Sequence, residues 1–422
     1  MKLELLKNRF LYLNEIAPIP KGINEISFEQ QKEALKLQIN DAWKVIYEYL
    51  GKNKLLSDDV FLQNHYFMYF KYDVDTSSKC TSLLLSEEFT ITGILTHTFY
   101  LGKIEEYVKS ISESVVAWFN IKNPEYNYPV SNSHLNLHTD IATWLVKLDR
   151  LPFSPFSTCL MAWMVKGVNN KDLLEIIQLM ERYTFLVFKV SRCGSHTGKN
   201  LFYARAEKIC DGTVNLAAFK RELIASTTRN IIATPVRNNR TLIDSFVLYI
   251  QRLFNQQINP RQAAAMPDGF SSWDGLRYFL FEYELFLQED QPEKITWEDF
   301  KQLEHIFSAP TMPDWMNVFG KFSTDRQIKL CHSLGNLLYM NKKTQPSPLV
   351  DFEGKKLDNT DKKTTRGYTV SSASYSEIEV ANNQDWTEAE ILARGIEMLT
   401  FMEIRWDITI GNDVIKQQVL FL

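Results

Sequence analysis

A mainly helical chain ending in a small α+β domain is what this sequence predicts, and three observations predict it. Apolar residues recur at helical spacing through most of the first 290 positions. After Gln291-Pro292 that pattern gives way to short, strand-like apolar pieces. A capped helix with a single apolar arc then closes the chain. With 422 residues, 45% of them apolar, 13% aromatic and 23% charged, the chain reads as folded and has the length of two or three domains. The boundary is expected near residue 290, which makes 1–290 a multi-helix array and 291–422 the α+β domain.

Taken in order, Ser27-Phe28-Glu29-Gln30 has the form of a capping box. Leu35, Ile39, Trp43, Ile46 and Leu50 follow along one helical face, and Gly51 is the expected stop. Similar patterning predicts helices over 102–120, 171–188, 216–226, 241–254 and 273–287, separated by breaks such as Asn123-Pro124 and Asn259-Pro260. Beyond residue 290, strands are expected at 303–307 and 334–340, with a loop through Trp315 between them and a polar loop at 357–365. The last helix opens on Thr387-Glu388-Ala389-Glu390 and carries Ile391, Leu392, Ile396, Leu399, Met402 and Trp406 on one arc.

Composition excludes several classes. No unbroken apolar stretch has the length of a membrane span, and the N-terminus lacks a signal-peptide core, so a cytoplasmic protein is expected. Five cysteines without a CxxC pair argue against a disulfide framework or a zinc knuckle. A net charge of −4 gives no global attraction to nucleic acid, so any DNA contact must come from local patches. One candidate is Lys342, Lys343, Lys355, Lys356, Lys362, Lys363 and Arg366; a solvated loop is the alternative. The run Gly194 to Asn200 is GxxxGKN and lacks the hydroxyl of a phosphate loop. His134 and His138 are four apart, but their Asn- and Pro-rich surroundings favour a polar helix cap over a metal pair.

The residues that point to chemistry lie near the C-terminus. Glu304-His305-Ile306 is followed about thirty residues later by Leu334-Gly335-Asn336-Leu337-Leu338 and then Asn341-Lys342-Lys343. Hydrolysing a phosphodiester needs an activated water, neutralisation of charge on phosphate oxygens and a stabilised leaving group. A histidine base with one divalent cation supplies all three. Strand, loop, strand and helix in that order is the ββα-metal arrangement of HNH-type nucleases, whose oxygen ligands suit Mg2+ or Mn2+. Adjacent side chains of a strand point to opposite faces, so Glu304 and His305 reach one phosphate only if the backbone twists or bulges there. His332 lacks the acidic neighbour that Glu304 gives His305 and is set aside as the base.

The runs WEDFKQLEHIF, LGNLLYMNKKTQ, DFEGKK, YSEIEV and WTEAEILARGIEMLTFMEIRW together resemble the C-terminal HNH-type nuclease domain of the GmrSD family of modification-dependent restriction enzymes. Upstream, LELLKNRFLYL, INDAWKVIYEYLG, NHYFMYFKYD and WDGLRYFLFEYE resemble the helical segments that link that domain to the family's ParB-like nucleotide-hydrolysing domain. The resemblance implies a metal-dependent endonuclease acting on double-stranded, base-modified foreign DNA. It implies His305 as general base, Asn336 as the residue steadying the hairpin, and Glu304 with Gln345 or Asn341 as ligands of Mg2+ or Mn2+. Lys355 and Lys356 fall on the family's lysine pair. With Arg394 and Arg405, eleven residues or roughly 16 Å apart on one helix flank, they are the expected DNA contacts; for the two arginines, a solvated border to the buried stripe is the alternative. Two departures stand out. Gln345 occupies the place of the family's asparagine, and Ser308 that of its proline. No DGQQR-like signature is found, so nucleotide hydrolysis is expected from a separately encoded ParB-like subunit, unless it is lost or its segment cut off. The competing expectation is a non-catalytic DNA- or partner-binding protein that keeps the nuclease fold.

Overall fold

The computed structural model describes residues 2–151, 154–194, 196–232, 242–254, 269–308, 313–348, 350–357 and 365–422. It is mainly helical, with two strands among the described residues. Contacts divide the chain into two compact units, Met1–Thr184 with Gly194–Thr228, and Phe185–Cys193 with Arg229–Leu422. The second unit thus begins well before the expected boundary at 290, because the segment preceding that point packs on the C-terminal strands.

The first unit is built from α1 (Lys2–Ile16), α2 (Glu25–Gly51), α3 (Asp58–Tyr69), α4 (Cys80–Leu83), α5 (Ile91–Leu95), α6 (Leu101–Lys122), α7 (Thr139–Asp149), α8 (Ser154–Val165), α9 (Asn170–Thr184), α10 (Lys199–Cys210) and most of α11 (Leu216–Ile232). Helix α2 ends at Gly51 as its pattern requires, but its cap lies three residues before the expected one. Asn24, not Ser27, accepts from the amides of Ile26 and Ser27 and so satisfies orphan donors of the first turn. Phe10, Trp43, Phe89 and Tyr107 form an edge-to-face aromatic cluster at the centre. His65 is fully buried beside it, with Nδ1 3.2 Å from the Tyr107 hydroxyl and Nε2 3.0 Å from Ser110 Oγ. His138 is the N-cap of α7, its Nδ1 accepting from the Asp140 amide, which is the cap role its surroundings suggested. Among the described residues no helix is long and apolar enough to cross a membrane.

The second unit contains α12 (Leu242–Phe254), α13 (Leu276–Gln288), β1 (Gln302–His305), α14 (Pro313–Phe319), α15 (Thr324–Cys331), β2 (Leu337–Met340), α16 (Phe352–Lys356), α17 (Tyr375–Ala381), α18 (Glu388–Trp406) and α19 (Asp413–Leu420). Strands β1 and β2 pair antiparallel, His305 opposite Leu337 and Gln302 opposite Met340. Two helices, not a plain loop, join them. The five-residue α16 is the first helix after β2. Asn259-Pro260, Ala309-Pro310, Lys362 and Lys363 lie outside the described residues.

Helix α18 organises this unit. Its predicted capping box is present, Thr387 and Glu390 serving each other's backbone, and its buried arc includes Ile391, Met398, Leu399, Met402 and Trp406. Gly335, in the 3-10 turn Leu334–Asn336, lies against it so closely that a Cβ would stand 2.0 Å from the Ile391 carbonyl oxygen. The Ile306 amide donates to the Asn336 carbonyl (3.0 Å), so by antiparallel alternation the next pair, His305 and Leu337, turns its own backbone groups outward. Arg394 of α18 meets that outward edge, its Nη1 donating to the carbonyls of Leu337 and Gly335 at 2.9 Å each.

Candidate active site

Asn336 is the hub on which the hairpin is hung. Wholly buried at the entry to β2, it accepts from the Phe307 amide (2.9 Å) and from Trp386 Nε1 (3.0 Å), and it donates to the carbonyls of Phe307 (2.9 Å) and Cys331 (2.8 Å). Both donors and both acceptor directions of the amide are used, so no other residue type of this size can replace it. These four bonds hold the entry to β2 in place. They fix the chain just after His305 to the chain at the end of α15.

That clamp brings together residues far apart in sequence. His305 Nε2 lies 3.0 Å from Ser271 Oγ and 3.3 Å from His332 Nδ1, and Ser271 Oγ is also 2.9 Å from His332 Nδ1. Ser271 belongs to the 3-10 turn Gly269–Ser272, held here by the Phe270 amide donating to the His332 carbonyl at 3.1 Å. Burial, with the neighbouring His332 and Lys355 adding to it, lowers the His305 pKa to about 4. The imidazole is therefore neutral at pH 7, the form a proton acceptor needs. Cys331 completes the group. Its Sγ is within 3.4 Å of the Phe307 carbonyl, and burial raises its thiol to about 12.

Glu304 points away from this group, as alternation along β1 dictates. Nearly all of its surface is buried. Its Oε1 takes the ammonium of Lys355 and lies 3.4 Å from the Tyr368 hydroxyl, while Oε2 accepts from Gln345 Nε2 at 2.7 Å. Burial, then the Glu304 charge, raises the Tyr368 hydroxyl well above its usual range. Both carboxylate oxygens are thus occupied, one by a tethered cation. Gln345 presents its amide nitrogen, not an oxygen, to Glu304. Asn341 caps the turn beyond β2, accepting from the Lys343 amide at 2.9 Å. It lies four residues past Leu337, the partner of His305, or about 13 Å along the strand. The oxygen set expected to hold Mg2+ or Mn2+ beside His305 is therefore not assembled: Glu304 and Gln345 are engaged on the opposite face, and Asn341 is at the far end.

The expected DNA contacts are mostly internal as well. Lys355 has no exposed surface; besides Glu304 its Nζ reaches the His305 carbonyl at 3.4 Å. Lys356 pairs with Glu353 at 2.8 Å and covers the Phe352 ring. Arg394, with 4% exposure, binds Glu379 at 2.9 Å in addition to the hairpin carbonyls. Arg405 pairs with the buried Glu282 at 2.9 Å. Lys355, Arg394 and Arg405 each close a carbonyl or carboxylate inside the fold and so do not project as a phosphate grip, whereas Lys356 and its partner Glu353 lie at the surface. Lys342 and Lys343 are exposed at the turn after β2.

Sequence reasoning missed Ser271 and set His332 aside. Nothing local marks Ser271. His332 carried one signal, its scarcity: seven histidines occur in 422 residues, and two of them flank the strand junctions of one hairpin.

Residues 263–401 match the family model for the C-terminal domain of GmrSD restriction endonucleases. No curated protein matches the chain.

Proposed function

We propose, from the premise that residues 263–401 of this chain are a GmrSD-type restriction endonuclease C-terminal domain, that the protein cuts the DNA of invaders by hydrolysing phosphodiester bonds. The observation that carries this reading is the placing of His305, held at the end of β1 by the Asn336 clamp and hydrogen-bonded through Nε2 to Ser271 and His332. In the reaction His305 takes a proton from a water as its oxygen attacks phosphorus in line and the bond from phosphorus to the departing sugar oxygen breaks, that oxygen taking up a proton from solvent; Ser271 and His332 orient the imidazole and offer its proton an onward path to solvent. Double-stranded, base-modified DNA as substrate, a separate ParB-like nucleotide-hydrolysing subunit as partner and a cytoplasmic setting extend the reading. They rest on the resemblance of the chain to that restriction family. So does the assignment of the hairpin to the HNH, His-Me finger class. Two helices between the strands and a short helix after them would be elaborations of its ββα plan. Mg2+ or Mn2+ would stabilise the leaving oxygen in that class, but Glu304, Gln345 and Asn341 do not fit such an ion as they stand.

One observation favours a second reading. The Lys355 ammonium and the Gln345 amide nitrogen close both oxygens of Glu304, which is what a fold kept for DNA or partner binding without chemistry would show. A plasmid-cleavage assay on modified and unmodified DNA, with added Mg2+ or Mn2+, separates the two. Cutting by the wild type that His305→Ala reduces by about a thousandfold supports the nuclease. Cutting unchanged in His305→Ala overturns the assignment of the base. DNA retained but uncut by the wild type, with cutting gained in Gln345→Asn, establishes the second reading.

A further inference from the structure

The face of β1 that carries His305 gathers a donor set quite unlike the oxygen ligands of Mg2+. The ligand atoms of His305, His332 and Cys331 all lie within 4.8 Å of one another, and they are the one group of this kind among the described residues. Two imidazole nitrogens and a thiol are the donors that borderline metals such as Zn2+ and Co2+ select. We propose that His305 Nε2, His332 Nδ1 and Cys331 Sγ form a binding site for a zinc-like divalent ion, with Ser271 Oγ or a water in the fourth position.

The geometry is close to what such an ion requires. Metal–nitrogen bonds of about 2.0 Å and metal–sulfur bonds of about 2.3 Å place tetrahedral ligand atoms roughly 3.3 to 3.7 Å apart. The two imidazole nitrogens already stand 3.3 Å apart, so the sulfur alone must close by about 1 Å from the limit of 4.8 Å. Cys331 Sγ is held only by long contacts to the Phe307 and Ser308 carbonyls, 3.4 and 3.7 Å. Turning it toward the histidines sacrifices little. Ser271 Oγ, at 3.0 and 2.9 Å from the two nitrogens, sits where a fourth donor belongs.

The site is also preorganised. Asn336 fixes both backbone segments that supply the ligands, donating to the Cys331 carbonyl and bonding Phe307 two residues beyond His305. These bonds hold the backbone on which His305 and Cys331 are carried, so little of it has to be ordered when an ion enters. On binding, the thiol gives its proton to solvent and its electron pair to the metal, so one proton is released per ion. Occupancy takes up His305 Nε2, and if the reading of His305 as the base is right, the ion switches cutting off.

Cobalt tests the site without reference to DNA. Titrating the full chain with Co2+ is expected to give one equivalent with tetrahedral visible absorption and a near-ultraviolet thiolate-to-cobalt band. Cys331→Ser should lose the thiolate band, and His332→Ala should weaken Co2+ and Zn2+ by about a hundredfold in competition with a chromophoric chelator. Ser271→Ala is the milder variant for use if either ligand change unfolds the chain, and a several-fold loss of affinity is expected of it. Absence of tetrahedral absorption in the wild type overturns the site, as does wild-type affinity in all three variants. Zinc binding that leaves DNA cleavage untouched keeps the site and overturns His305 as the base.

Discussion

Glu304 and His305, neighbours in sequence, serve separate purposes in the fold. The carboxylate is sealed in the interior with Lys355, a pair whose halves are far costlier alone than together. Removing one member of such a buried pair typically costs 3 to 5 kcal/mol, to order of magnitude, whereas replacing both by neutral groups of similar shape is near neutral. Glu304→Ala is therefore expected to lower stability toward urea by about 4 kcal/mol, and Glu304→Gln combined with Lys355→Met to recover most of it. A loss below about 1 kcal/mol would show that Lys355 leaves the interior, as it must if Glu304 serves a metal. That Glu304 and His305 face opposite sides of β1 was legible in the sequence, because strand alternation is local. The fate of Lys355 was not: its partner lies 51 residues away, and a lysine following an acidic turn looks like any surface lysine. His332 and Ser271 were hidden for the same reason.

At the scale of elements, α18 was the most legible part of the chain. Its capping box and apolar arc are written in consecutive residues, and the helix begins at Glu388 and ends at Trp406 as they require. Helices α14 and α15 were not foreseen, since α14 spans seven residues and α15 eight, too short for a period to stand out. The contact between α18 and the turn before β2 gives a graded test. Alanine at Gly335 must push against the backbone oxygen of Ile391, which a helix cannot yield, and about 3 kcal/mol or more of stability should be lost in urea unfolding. At Gly395 the new methyl meets Leu420 Cδ1 at 2.7 Å, the mobile end of a side chain. Gly395→Ala should cost about 1 kcal/mol or less, the gain in helix propensity offsetting part of the crowding. Equal effects at the two positions would mean that the turn, and not α18, adjusts.

Over the whole molecule, the two units should answer acid differently. Burial lowers His65 to about 3, against 6.5 for an unrestrained histidine, so between those values the unfolded chain binds the extra proton. Stability of the first unit then falls as pH drops through that window, by up to about 1.4 kcal/mol per unit. In the second unit His305 acts the same way down to about 4, but burial raises Glu377 to about 7 and shifts Glu284 in the same direction. Between its ordinary 4.5 and about 7, Glu377 is protonated in the folded chain first, so acid favours folding there and offsets His305. Hydrogen exchange at pH 7 and pH 5 should show protection lost first among residues 2–184, and His65→Asn should flatten that response. Equal loss in both units, or an undiminished response in His65→Asn, would exclude this balance. Arg394 has a consequence at the same scale. Its guanidinium takes the Gly335 and Leu337 carbonyls on the outer edge of β2, so a helix does the work of a neighbouring strand and that edge offers no ready template to a second molecule. Arg394→Leu uncovers the Leu337 and Gly335 carbonyls and is expected to self-associate more than the wild type with rising concentration in sedimentation velocity, while Glu379→Gln, which leaves the guanidinium in place, sediments as the wild type does. Seen this way, a residue that looked like a grip for DNA guards the protein against copies of itself.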